Sequence, residues 1–373
     1  MTGLYIHIPF CTRKCLYCDF PSYGGISRYQ EAYVNALCRE IRNSPYAGQA
    51  VDTVYFGGGT PSLLTLVQVG MIMRTLGETF RLAADSEITL EANPESMDRV
   101  YAAGLAHIGI NRVSLGIQSF NDKELRLLCR LHTGKEAMQS VCDVYEGGIT
   151  NISVDLMYGL PGQSRADVMH DLSCFVSLPV VHASVYSLIV EPGTPLAGLV
   201  GKGSVLLPEP EITLQEGAAV RSMLADRGFA HYEISSYARP GFASRHNIKY
   251  WQYEPYIGFG VSAHSFDGRF RFVNIGNIPR YIEAAGKAAV SAEREEIRTM
   301  RGEEDYCFLA LRMRRGIDSE RFQSLFGETV ESAFGPVLED LDRRGFIEPT
   351  DRGYKLTEQG LLYGNYVFSR FLK

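Results

Sequence analysis

The first half of the chain alternates short runs of apolar and β-branched residues with stretches of helical period. Runs at residues 4–10, 51–56, 87–92, 112–119, 151–158 and 182–190 predict six strands. Between the first two, residues 27–42 place Tyr29, Tyr33, Val34, Leu37, Cys38 and Ile41 on one stripe, as an amphipathic helix does. Repeated strand–helix units predict a parallel sheet with right-handed crossovers. An open doubly wound sheet and a partial TIM-like barrel both satisfy this periodicity.

After Val190 the alternation stops. Residues 191–195 and 206–210 carry Pro- and Gly-rich loop signals, one helix is expected at 212–227, and residues 231–272 are aromatic-rich with little helical period. From about Thr299 the pattern reads as a separate unit, with helices at 303–313, 318–326 and 330–344 and a C-cap at Gly345. The segments 346–348 and 354–356 flank a turn and predict a hairpin, so this unit resembles a winged helix. Three regions follow: residues 1–200, an aromatic extension at 201–298, and a winged-helix-like α+β domain at 299–373.

Composition narrows the function classes. Apolar residues are 45% and charged residues 21% of the 373, a globular balance that argues against disorder. Lys and Arg number 37 against 43 Asp and Glu, so bulk charge argues against a dedicated nucleic-acid binder. A redox-sensing DNA regulator, suggested by the winged-helix-like tail, is disfavoured because acidic residues offset Arg312, Arg314, Arg315, Arg343 and Arg344. The opening residues read as a first strand, not a signal peptide, and no run of 18 apolar residues predicts a membrane span. A soluble cytoplasmic protein is expected.

Eight cysteines are too few for a disulfide scaffold, yet three fall within eight positions, Cys11-Thr12-Arg13-Lys14-Cys15-Leu16-Tyr17-Cys18. This CxxxCxxC sits just past the first strand, where parallel α/β proteins gather their chemistry. A [4Fe–4S] cluster normally takes four thiolates, so three would leave one iron open to a small molecule. A structural zinc site or three buried thiols are the alternatives. Closed zinc sites prefer a second CxxC or HxxxH pair, which is missing nearby.

The triplet with its aromatic Tyr17 resembles the radical S-adenosylmethionine (SAM) superfamily. Tyr5-Ile6-His7-Ile8-Pro9-Phe10-Cys11 and Cys18-Asp19-Phe20 are similar to the oxygen-independent coproporphyrinogen III oxidase family, and the similarity runs nearly end to end. That resemblance implies a partial (β/α)6 barrel, with the open iron chelated by the methionine moiety of SAM. It also implies cofactor contacts from Tyr5 and from Tyr17 beside the adenine.

The remaining SAM positions combine physical reasoning with that resemblance. Gly57-Gly58-Gly59-Thr60-Pro61 follows the second strand, and glycines there let backbone groups approach a ligand without Cβ interference. The resemblance assigns Gly58, Gly59 and Thr60 to the methionyl end. Glu91 ends the third strand, where a carboxylate can accept from ribose hydroxyls. Gln118, Arg130 and Asp155 follow in the order of the family's SAM-binding positions, Arg130 being suited to a charge-assisted pair with the SAM carboxylate.

Two features separate branches of the family. The decarboxylating oxidases extend the triplet to CxxxCxxCxC, but the extra position here is Phe20. His246-Asn247-Ile248-Lys249-Tyr250-Trp251 fits an HNxxYW pattern resembling the heme-chaperone branch, and Trp251 is the chain's single tryptophan. Imidazole can ligate heme iron while aromatic faces pack on the macrocycle, which makes His246 the expected heme ligand and His264 a second candidate. The expected function is a heme chaperone that binds heme, a [4Fe–4S] cluster and SAM, and passes heme to an acceptor protein. SAM scission would require a low-potential electron donor such as flavodoxin. Coproporphyrinogen III oxidase activity is the alternative.

Overall fold

The computed structural model describes residues 1–287 and 290–372. Six strands begin the fold: β1 (Thr2–Ile8), β2 (Ala50–Gly58), β3 (Arg81–Ala92), β4 (Arg112–Gln118), β5 (Asn151–Tyr158) and β6 (His182–Ser187). Each pairs in parallel with the next. Their alternation sorts chemistry by face. Leu4, Ile6 and Ile8 of β1, Ile88 and Leu90 of β3, Val113 and Leu115 of β4 and Ile152 and Val154 of β5 point into the apolar core. Tyr5, Glu91, Ser114 and Asp155, on the opposite face, line polar cavities.

The crossover helices are α1 (Gln30–Arg42), α2 (Leu66–Thr79), α3 (Arg99–Ile108), α4 (Gly134–Glu146) and α5 (Arg165–Ser177), joined by α6 (Pro210–Asp226). Consecutive helices pack on one another, α1 on α2, α2 on α3, α3 on α4 and α5 on α6. That chain of neighbours lies on one side of the sheet, so the partial barrel prevails over the doubly wound alternative. Several helices start on side chains: Thr65, Thr133 and Ser164 each close a capping box.

The aromatic extension is more regular than its sequence suggests. It contributes β7 (Ala230–Glu233), β8 (Ser236–Ala238), helix α7 (Arg245–Trp251), and β9 to β12 (Tyr256–Phe259, His264–Phe266, Phe270–Asn274 and Ser291–Glu296). These strands extend the sheet at both ends, in the order β12-β11-β10-β9-β1-β2-β3-β4-β5-β6-β8-β7. β9 continues the parallel series beside β1, and the outer strands are antiparallel. Helix α7 escaped the periodicity reading because seven residues make only two turns, with His246 and Lys249 buried three apart.

The C-terminal unit contains α8 (Thr299–Ala310), α9 (Ser319–Phe326) and α10 (Val330–Arg343). A small antiparallel sheet accompanies them, with β13 (Ile317–Asp318) and β14 (Ile347–Pro349) flanking β15 (Gly353–Leu356). Gly345, with φ 73°, follows the end of α10 as expected. Tyr253 and Phe266 of the extension belong to the core formed by Tyr306, Phe322, Phe334 and Phe371. The helices and hairpin are therefore anchored on the extension rather than free. Among the described residues, no helix is long and apolar enough to cross a membrane.

Candidate functional site

The site lies at the carboxyl ends of β1 to β6. After β1 the chain makes a short parallel bridge, Phe10 to Tyr23 and Cys11 to Gly24, which closes the cysteine loop at its base. His7 Nε2 lies 2.9 Å from the Pro21 carbonyl, Lys14 donates to the Phe20 carbonyl at 2.9 Å, and the Leu196 amide donates to the Leu16 carbonyl at 3.0 Å. These contacts hold the loop against the barrel mouth.

Cys11, Cys15 and Cys18 are free, partly exposed thiols lining one cavity. The same cavity, about 140 Å³ in volume, is lined by Tyr17, Gly58, Gly59, Thr60, Glu91, Gln118, Arg130 and Asp155. Thirteen of the fourteen residues singled out in the sequence, all but His246, therefore lie on this cavity or on its neighbour, where Tyr5 and His264 are found. Among the described residues, no three His, Cys, Asp or Glu side chains converge on a point suited to one metal ion. Three thiolates lining one cavity can each hold one iron of a polynuclear cluster.

The glycines answer to packing as well as ligand approach. Gly59 and Thr60 donate their amides to the carbonyls of Ile8 and Phe10, at 2.8 and 2.7 Å. A Cβ on Gly58, where φ is 112°, would fall 2.5 Å from the His7 ring, and one on Gly59 would fall 2.6 Å from the Phe10 carbonyl oxygen. The cradle is thus fitted directly onto the end of β1.

Arg130 crosses the cavity. It donates to Asn93 Oδ1 at 2.6 Å, to the Gly116 carbonyl, and to Cys15 Sγ at 3.5 Å, while its buried Nε has no partner among the described residues. Across from it, Glu91 accepts from the Tyr55 hydroxyl at 2.8 Å and Asp155 from the Ser114 hydroxyl at 3.2 Å. Burial pushes the Glu91 carboxyl up to about 7, with neighbouring Asp155 adding to the rise. Burial likewise pushes Asp155 up to about 6, against the pull of Ser184 and Arg112. Gln118, with φ 73°, accepts from the Tyr186 hydroxyl at 2.9 Å. Tyr17 packs against Leu128, Met157 and Leu160.

A second cavity, of about 570 Å³, adjoins the first. Phe20, Gly58 and Glu91 line both. Its remaining wall is aromatic: Tyr5, His7, Tyr55, Tyr250 and Tyr256, with Asn247, Ser262 and His264. Tyr5, expected beside SAM, faces this cavity and places its hydroxyl 3.1 Å from His7 Nδ1.

The structure places His246 outside the lining of both cavities. It is fully buried beneath the aromatic wall, with Nδ1 2.9 Å from the Thr53 hydroxyl and Nε2 2.8 Å from the Tyr250 hydroxyl. Both ring nitrogens are occupied, so it offers no lone pair to a ligand. The HNxxYW segment divides three ways. Asn247 and Tyr250 line the cavity, His246 braces Tyr250 from below, and Trp251 packs under Arg312 of the C-terminal unit at 4.3 Å. Asn93, Ser114 and Tyr186 also line the thiol-lined cavity. Asn93 lies two residues beyond Glu91, and no sequence signal marked Ser114 or Tyr186.

The barrel, the thiol triplet and the carboxylate–arginine cavity define a radical SAM protein, and the family model described as "Radical SAM superfamily" matches residues 5–174. The "HemN C-terminal domain" model matches residues 305–363. The chain belongs to the heme chaperone HemW family within that superfamily, being 39% identical to the heme chaperone HemW of Bacillus subtilis over 100% of this chain and 99% of that protein. The heme chaperone HemW of Escherichia coli is 33% identical, over 99% of this chain and 98% of the relative. The fold matches coproporphyrinogen III oxidase from E. coli with a TM-score of 0.85, at 23% identity, over 99% of this chain and 89% of that one. Radical SAM membership carries with it a [4Fe–4S] cluster and SAM as cofactors.

Proposed function

We propose that this protein is a heme chaperone that receives heme in the aromatic cavity, beside its cluster and SAM, and delivers it to an acceptor protein in the cytoplasm. The single observation carrying this reading is the wall that the two cavities share, Phe20, Gly58 and Glu91. It brings an aromatic-lined space up against a thiol-lined one, and the whole chain is homologous to proteins named as heme chaperones.

In this reading Cys11, Cys15 and Cys18 hold the cluster, and Gly58, Gly59 and Thr60 receive the methionyl end of SAM. Arg130, whose buried Nε lacks a partner, pairs with the SAM carboxylate. Glu91 accepts from the ribose, Gln118 and Asp155 complete the polar wall, and Tyr17 packs beside the adenine. When bound, a reduced cluster supplies the low-potential electron that SAM scission needs. Arg13 and Lys14, exposed on the cysteine loop, lie where a donor such as flavodoxin would approach.

Phe20 stands where the oxidases place a further cysteine, and its exposed ring edges both cavities. This weighs against coproporphyrinogen III decarboxylation. The test is anaerobic reconstitution followed by heme titration and transfer to an apo-hemoprotein, with a parallel coproporphyrinogen III assay. Stoichiometric heme binding and transfer without porphyrinogen turnover is expected. Multiple turnovers to protoporphyrinogen would overturn the reading.

A further inference from the structure

Three imidazoles reach or underlie the aromatic cavity, and they differ in what their nitrogens do. His7 is buried with Nδ1 on the Tyr5 hydroxyl and Nε2 on the Pro21 carbonyl. His246 is buried with both nitrogens occupied. His264 opens β10, is exposed to the cavity, and makes no ring hydrogen bond with any described residue. The cavity phenols are committed or protonated. Tyr5, Tyr55 and Tyr250 hydroxyls engage His7, Glu91 and His246, and burial holds Tyr256 above its ordinary value and so in the phenol form. Among the described residues, no cysteine lines this cavity.

The backbone under His264 is held firmly. Tyr33 donates to the His7 carbonyl at 2.6 Å and accepts from the Val261 amide at 3.0 Å, tying the turn before β10 to β1. Glu40 accepts from the Gly260 amide at 2.9 Å, from Asn274 Nδ2 at 2.6 Å and from the Tyr281 hydroxyl. The Asn274 amide donates to the Ala263 carbonyl at 3.0 Å. A ligand on such a fixed turn is presented to the cavity without a large ordering cost.

We infer that His264 is the axial ligand that the aromatic cavity offers to heme iron, with His246 a buried brace for the wall. Iron–imidazole ligation needs a neutral ring with a free nitrogen directed into space that admits a macrocycle, and His264 is where these conditions coincide. Burial and Arg271 hold its pKa below the ordinary histidine value, keeping the ring neutral. Flat faces of the surrounding tyrosines and of Phe20 supply packing for the porphyrin.

The inference rests on heme occupying this cavity, and the test separates the two. Heme is bound to the reconstituted full-length protein, reduced, and examined by resonance Raman for the iron–histidine stretch, in wild type, His264→Ala, His264→Gln and His246→Ala. The band is expected in wild type and His246→Ala, lost in both His264 variants, and restored in His264→Ala by added imidazole. Circular dichroism of the His264 variants should match wild type, because the side chain is exposed. Wild type that binds no heme would sink the chaperone reading itself. Heme binding with the band intact in the His264 variants, or lost only in His246→Ala, would overturn the ligand assignment and leave the chaperone reading standing.

Discussion

His246 Nε2 lies 2.8 Å from the hydroxyl of Tyr250, one helical turn further along α7. The bond fixes the ring that walls the aromatic cavity, and Tyr55 stacks on the other side of the imidazole with centroids 5.1 Å apart. A motif histidine thus shapes the cavity from outside it. Burial holds the ring neutral, with its pKa near 3, so one nitrogen donates and the other accepts.

Replacing His246 with Gln should have a pH-dependent cost. The unfolded chain protonates this residue near 6.5 and the folded chain only near 3. Its contribution to stability is therefore complete above about pH 6.5 and declines as pH falls, by about 1.4 kcal/mol per unit. Urea unfolding of apoprotein at pH 7.5, 6.5 and 5.5 should show the gap between wild type and variant narrowing on acidification. A constant gap would contradict the buried neutral imidazole.

SAM binding should release protons. The carboxyls of Glu91 and Asp155 are raised to about 7 and about 6, and the cationic sulfonium favours their ionised forms. Affinity should rise between about pH 5.5 and 7.5. Titration calorimetry in buffers of different ionisation enthalpy checks this, and Glu91→Gln should bind more weakly with a flatter pH profile. A pH-independent affinity in wild type would count against carboxylates at the ligand.

Tyr33→Phe should cost about 1–3 kcal/mol, because the Val261 amide loses its acceptor and the His7 carbonyl loses its donor, all in the buried interior. Thermal unfolding measures the loss. The more specific effect is weaker heme binding with unchanged cluster yield, since the clamp lies under the turn carrying His264. Equal loss of both would make Tyr33 a general core residue.

Gly58→Ala should impair cluster assembly. Its φ of 112° and the 2.5 Å approach of a Cβ to the His7 ring force β1 and the cysteine loop apart. Iron and sulfide per chain after reconstitution should fall well below wild type, while the far-UV spectrum keeps its helical content. Full incorporation would show that the cradle yields without disturbing the loop.

The barrel was legible because period-2 runs of buried side chains alternate with amphipathic helices, and the Asn151–Tyr158 run coincides with β5 residue for residue. The extension was not, because β9 to β12 are short strands and only alternate weakly, with β12 almost wholly exposed. The thiol triplet was readable from spacing, whereas the glycines took their assignment from the family resemblance. Partition of Tyr5 into the second cavity and burial of His246 depend on how β1, β2 and α7 meet, which one-dimensional spacing does not encode. Ser114 and Tyr186 reach the site only through strand register.

The most direct measurement is electron paramagnetic resonance of the anaerobically reconstituted, reduced protein before and after addition of SAM. A [4Fe–4S]+ signal that changes on adding SAM, and that disappears when Cys11, Cys15 and Cys18 are replaced by Ala, is the predicted result. A chain that instead holds one zinc at the triplet, or a cluster spectrum indifferent to SAM, would contradict an open iron facing the carboxylate–arginine cavity.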